Sequence, residues 1–205
     1  MRYPVIGKSS LSYSYFNGKM SHDNVPILLL DGIGIPEQGE LMAGLALKRA
    51  VVLFPDQSRW VKCSRDGFIH DTAIHEGIHY RTMELTGDWP DDEFDSDLNA
   101  DTPEPESVTH ARQMDEVRAY LIQTMYGKCP AIPFKMMWSA SDKLEQYSQT
   151  KEAIWDSIDH VLSHNPGLYS LYQKRMLPIG LIPEKELRLI AHDAFLKSDL
   201  FYRSD

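Results

Sequence analysis

Two cysteines in 205 residues are too few to hold a disulfide-stapled scaffold together. Cys63 and Cys129 stand far apart and belong to no Cys-x-x-Cys pair, so they read as reduced thiols of a cytosolic protein. Nowhere do about 18 apolar residues run together, which argues against a membrane-spanning helix. The segment from Met1 to Ser14 also lacks the apolar core of about 7 to 15 residues that a secretory signal needs. The expected location is therefore the cytoplasm, or delivery by a specialised secretion machine, which would leave no such mark.

Positive charge is scarce as well. Lys and Arg number 21 against 30 Asp and Glu, a net −9, and nine acids with no Lys or Arg lie between Asp88 and Glu106. A nucleic-acid binder leaves a basic footprint and an anionic membrane attracts one, so neither is an expected partner. Nucleophilic hydrolase signatures are missing too: there is no Gly-x-Ser-x-Gly elbow, and neither cysteine has the surroundings of a Cys–His protease.

What the chain does have is enough apolar matter, 42% of residues, for one substantial domain with a real core. Within it, Ile74-His75-Glu76-Gly77-Ile78-His79-Tyr80 contains His-Glu-x-x-His. In a helix the i and i+4 histidines share a face, so two imidazoles can converge on one cation with Glu76 beside it. Two neutral imidazoles and one further protein ligand leave a tetrahedral zinc open to water, whose pKa falls to roughly 7. Glu76, not bound to the metal, can take that water's proton and pass it to a leaving amine. In a chain with 8 His and 12 Glu the pattern arises by accident about 2 times in 100, so its context matters. Asp71 or Thr72 can cap a helix here, Ile74, Ile78 and Leu85 form a stripe beside the histidines, and Gly87 with Pro90 ends it. Gly77 costs that helix about 1 kcal/mol relative to Ala and so calls for a close neighbour or a substrate backbone.

A zinc site needs a third ligand on another element. The favoured one is Glu116, in a helical pattern from about Val108 to Met125 opened by Ser107. At 100° per residue Glu116 borders the stripe of Gln113, Val117, Tyr120, Leu121 and Thr124, whereas Asp115 falls on the opposite side. Ala119, small and one turn on, suits close helix approach. His110, Asp115 and Asp97 are the alternatives. The pair His75-Glu76-x-x-His79 and Glu116-x-x-Ala119 resembles the gluzincin type of zinc metallopeptidase. The likeness covers about a tenth of the chain. It implies that His75, His79 and Glu116 bind zinc and that Glu76 is general base and acid. Metzincins carry a third His six residues after the second, where this chain has Leu85.

The rest of the chain is read for architecture. Alternation over Leu11–Tyr15 and Asn17-Gly18 predict an N-terminal hairpin, and Val25–Leu30 a buried strand. Gly32-Ile33-Gly34 is a turn rather than a phosphate loop, since Glu37 replaces the third glycine. Glu37–Lys48 reads as a helix through Leu41, Leu45 and Ala46, and Val51–Phe54 as a strand stopped by Pro55. By the resemblance, this last strand could lie at the edge of the site and pair with extended substrate; an ordinary core strand is the alternative. Ser58–Phe68 is a polar connector anchored by Trp60. The acidic stretch 87–106 reads as a solvated linker, with steering of basic substrates, calcium binding and a cover over the site as other readings. Helices are expected over Asp142–Leu162, Leu168–Leu177 and Pro183–Lys197, with Asn165-Pro166-Gly167 as a break. Tyr120, one turn from Glu116, is the first choice to stabilise an oxyanion, ahead of His160, His164, Tyr169, Tyr172 and His192.

These readings converge on one zincin-like α+β domain over 1–205. It would have a small N-terminal sheet with helices (about 1–86), the acidic loop (about 87–106) and a mainly helical lobe (about 107–205). The expected function is a Zn2+-dependent metallopeptidase acting on a protein or peptide, as regulatory proteases or injected effectors and toxins do, with the number of subunits open. The alternative is a zincin-like binding or regulatory module whose metal is structural or lost.

Overall fold

A computed structural model describes residues 5–11, 25–30, 44–47, 50–55, 62–87, 106–143, 148–174 and 176–198. The chain is α+β, and it divides into two compact units, Met1–Arg112 and Gln113–Asp205.

In the first unit β1 (Val5–Leu11) pairs antiparallel with β2 (Val25–Leu30), with Ser9 opposite Ile27. The Asn17-Gly18 turn and the Leu11–Tyr15 alternation beyond Leu11 lie outside the described residues, as do Gly32-Ile33-Gly34 and Trp60. β4 (Ala50–Leu53) runs parallel to β2 and antiparallel to β3 (Gly44–Leu47), giving the order β1-β2-β4-β3. Two expectations change here. Residues 44–47 form a strand rather than the end of a helix, because they pair antiparallel with β4, from Gly44 opposite Leu53 to Leu47 opposite Ala50. The strand at 50–53 is interior, with Val51 and Leu53 fully buried, so its backbone is already paired on both sides and offers nothing to a substrate.

The helix α1 (Arg65–Thr86) follows β4 and packs on β3 and β4, sealing a core of Ile27, Val51, Leu53 and Ala73. It begins well before Asp71 and Thr72: the Ser64 hydroxyl accepts from the Gly67 amide at 3.0 Å, and Asp71 and Thr72 are buried inside the helix. At the other end Gly87 adopts φ 73° and donates to the Met83 carbonyl, the left-handed stop expected of that glycine.

The helix α2 (Glu106–Tyr126) carries the boundary between the units. Within the second unit follow α3 (Ala131–Lys143), α4 (Ser148–Ser163), α5 (Pro166–Gln173), a 3-10 turn (Ile179–Leu181) and α6 (Glu184–Lys197). α4 packs on α5 and α6, and α3 on α6 and the 3-10 turn, around Ile154, Ile158, Leu162, Leu187, Ile190 and Phe195. Of the segment expected as one helix over 142–162, Asp142 and Lys143 end α3 and Ser148–Leu162 belong to α4, while 144–147 lie outside the described residues. Asn165 breaks α4 as expected, but it does so by capping α5, its side chain accepting from the Leu168 amide with Pro166 in the first turn. Among the described residues no helix is long and apolar enough to cross a membrane.

Candidate metal centre

His75 and His79 lie on one face of α1, both half-buried, between Ile74 and Ile78, which are almost completely buried and fix the helix's rotation against its neighbours. Their rings meet edge to face, centroids 4.7 Å apart, and the two Nε2 atoms stand 3.1 Å apart. Two zinc–nitrogen bonds of about 2.0 to 2.1 Å at a tetrahedral angle place the nitrogens about 3.3 Å apart, so this spacing suits a shared cation. One ligand atom each from His75, His79 and Glu116 falls within 4.8 Å of the others, making these three a candidate metal-binding group. The donor set of two imidazoles and one carboxylate matches zinc's preference for nitrogen and oxygen.

Glu76 is buried at 9% exposure on the same helix. Its side chain lies against β3, where a Cβ on Gly44 would come within 2.6 Å of the Glu76 Cγ and 2.9 Å of Oε1. Gly77 is buried.

Of the stripe predicted on α2, Val117, Leu121 and Thr124 are buried and Tyr120 is half-buried; Glu116 at its edge is half-buried, and Ala119 is buried as well. Asp115 is not solvent-facing: its side chain is 13% exposed and accepts a 2.8 Å hydrogen bond from Arg118. It does not belong to the group formed by Glu116. The side chain of His110, and Asp97 with the whole acidic segment 88–105, lie outside the described residues. Tyr120 sits one turn after Glu116 and is half-buried.

The other candidates for completing the site are engaged on the second unit's own surface. His160 and His164 stack at 5.4 Å on α4, and the His164 Nδ1 lies 2.9 Å from the His160 carbonyl. Tyr169 donates to the Asp159 carboxylate at 2.9 Å, and that bond holds its phenol above the ordinary range. Burial, helped by the charge of Asp159, does the same for Tyr172.

Cys63 and Cys129 are joined in a disulfide, which overturns their reading as reduced thiols. A count of two cysteines says nothing about their proximity, and folding is what brings them together. Together with Asp71 they form a second cluster of potential ligand atoms, but sulfurs in a disulfide are not thiolates and cannot serve as metal ligands. The cysteines therefore no longer argue for a reducing compartment.

Comparison with protein families, with curated proteins and with solved structures found no match in any of the three.

Proposed function

We propose that the chain is a zinc-dependent metallopeptidase of zincin-like fold, with His75, His79 and Glu116 as the metal ligands and Glu76 as general base. The observation that carries the reading is the three-residue group itself, with two Nε2 atoms 3.1 Å apart. Among the described residues it has three donors, the number that leaves a fourth position for a reactant, whereas a structural zinc is closed by four.

A zinc ion held there supplies a water of lowered pKa and a Lewis acid for the scissile carbonyl. The protein's own residues do the rest. His75 and His79 must be neutral to bind, so protonation of either releases the metal. Glu76, one residue after His75 and not a member of the ligand group, accepts the proton from the attacking water and returns it to the departing amine. Tyr120, on the same helix as Glu116, is the proposed donor to the oxyanion. A peptide is the substrate this arrangement favours, because β3 is one of the two edge strands of the sheet among the described residues and Gly44 on it lies against Glu76. An extended chain added to that edge would lie beside the base.

A second reading is favoured by the same 3.1 Å distance: one Nε2–H can donate to the other Nε2 without any metal, as in a binding module whose metal has been lost. Zinc analysis of protein purified without added metal separates the two. The hydrolase reading expects about one zinc per chain, lost on dialysis of Glu116→Ala against a weak chelator and kept by Glu76→Gln. Proteome-wide mapping of new peptide ends then expects cleavages by the wild type that the Glu76→Gln variant does not make. A metal-free wild type, or identical peptide ends from both proteins, would refute the proposal.

A further inference from the structure

At Gly44 the strand β3 and the helix α1 come close around the side chain of Glu76. A Cβ built there would lie 2.6 Å from Cγ and 2.9 Å from Oε1 of Glu76, shorter than real Cβ contacts allow, and 3.0 Å from Cδ, tighter than nearly all of them. The glycine is not needed for its backbone, since among the described residues only Gly87 has a positive φ. Nor does strand propensity explain it, because glycine is among the poorest residues in a strand. Space alone accounts for it. The obstacle is also not the loose end of a flexible side chain: Cγ is held close to a helix backbone whose neighbours Ile74 and Ile78 are almost fully buried.

We propose that Gly44 is a positioning residue for Glu76: the absent side chain on β3 is what lets the carboxylate lie against the strand. Any side chain at 44 pushes Glu76 out of that place. The consequence for catalysis rests on the function proposed above, whereas the positioning itself does not. If Glu76 is the base, its placement relative to the histidines decides whether a proton can be taken from the attacking water, and a shift of about 1 Å in such a geometry costs up to roughly 100-fold in rate.

The test is a double-mutant cycle on the full chain, with Gly44→Ala, Glu76→Ala and both together. Ala in a strand is intrinsically better than Gly, because it restricts the unfolded chain and packs. Gly44→Ala should therefore lower Tm by about 2 to 10 °C where Glu76 is present, through forced overpacking. In the Glu76→Ala background, which has no Cγ, it should be neutral or raise Tm. This change of sign is something a merely structural glycine would not produce. Gly180→Ala, where a Cβ meets nothing within 4 Å, is the control and should leave Tm unchanged or slightly raised. An equal loss in both backgrounds, or none in either, overturns the positioning role.

Two further readouts separate this proposal from the function on which its catalytic consequence depends. Zinc content should be unchanged in Gly44→Ala, since no ligand is touched. Cleavage of fluorescein-labelled casein should fall about 10- to 100-fold in that variant, with no further loss when Gly44→Ala is added to Glu76→Ala. Full cleavage by Gly44→Ala, with the Tm sign change present, removes the catalytic consequence but leaves the contact. A wild type that holds no zinc and cuts no casein, with the sign change present, counts against the hydrolase and not against Gly44.

Discussion

The helices α1 and α6 bury their inner faces to a similar depth and with opposite chemistry. On α6 every buried residue is apolar: Leu187, Ile190, Ala191, Ala194 and Phe195 are all fully enclosed. On α1, Ala73, Ile74 and Ile78 share the interior with Asp71, Thr72 and Glu76. Burying a carboxyl group costs free energy unless it is well partnered, and an apolar residue of similar shape would avoid that cost. A helix that keeps two of them inside is not arranged for stability alone. Such groups gather where a chain needs a base or a ligand, so α1 is the place to look for chemistry and α6 the place to look for packing.

The sharpest way to break this contrast is to mutate each helix and read both stability and turnover. Glu76→Gln should lower turnover by about 100- to 10,000-fold, with zinc retained and Tm unchanged or higher, because an amide replaces a buried acid. Phe195→Ala should do the reverse. Losing about 3 to 5 kcal/mol of stability in urea titration, it should keep its zinc and specific activity per folded molecule. If Phe195→Ala abolished turnover while still folded, or Glu76→Gln unfolded the protein, the division of labour between the two helices would be wrong.

The same contrast explains which parts were legible in the sequence. Helices whose inner face is apolar declared themselves by period: the stripe of Val117 and Leu121 located α2, and Leu187, Ile190, Ala194 and Phe195 lie inside the segment read as the last helix. The start of α1 did not, because its capping serine is followed at the third position by Gly67 instead of a Glu or Gln, so the usual box was missing. β3 was mistaken for a helix because Leu41, Leu45 and Ala46 happen to fall at helical intervals, and the Lys48-Arg49 connection carries none of the Asn or Gly that marks a tight hairpin. α3 is not among the expected helices; Pro133 in its first turn lacks only an amide that has no helical partner anyway. The site residues were legible as a pattern, since i and i+4 fixes the histidine pair. Glu116 ranks first by its angle on a helix together with the Glu-x-x-Ala resemblance. Gly44 left no signal, because nothing in a sequence says which strand passes over a given glutamate.

The disulfide belongs to neither side of the contrast and sharpens it from outside. Joining Cys63 to Cys129 closes a loop of roughly 65 residues, and the lost entropy of the unfolded chain corresponds to about 4 kcal/mol. Cys63→Ser, or reduction with dithiothreitol, should lower the urea midpoint accordingly, and reoxidation of the reduced wild type should restore it. An unchanged midpoint after complete thiol titration would mean that the bridge contributes nothing to folding.

A smaller effect links packing to the helix that carries Glu116. Arg188 on α6 donates to the carbonyls of Met125 at 2.6 Å and Gly127 at 2.7 Å, where α2 ends and its last carbonyls have no helical amide. A guanidinium in that position also complements the negative end of the helix dipole. Arg188→Ala should cost about 2 kcal/mol, and Arg188→Lys should recover only part, since an ammonium cannot match the planar fork. Full recovery by Lys would show that charge alone matters there.

The smallest expected effect concerns Asp193 on α6, whose Oδ2 stands 2.7 Å from the Lys197 ammonium and 4.0 Å from the His160 Nδ1 on α4. Burial pushes its pKa up, but the Lys197 hydrogen bond and charge, the Ser157 hydrogen bond and the charge of His160 together outweigh it and hold the carboxyl below the ordinary 3.8. A folded value below the unfolded one means that the ionised form stabilises the fold. That contribution is fully present above the unfolded pKa and disappears as pH falls through the folded one. Because the side chain is 26% exposed, water screens the pair, and the contribution is at most about 1 kcal/mol. Asp193→Asn should therefore be slightly less stable than the wild type at pH 7, and the gap between their urea midpoints should close as pH falls below about 4. A gap that stayed constant down to pH 3 would assign the loss to packing, and α6 would then owe even its polar edge to shape.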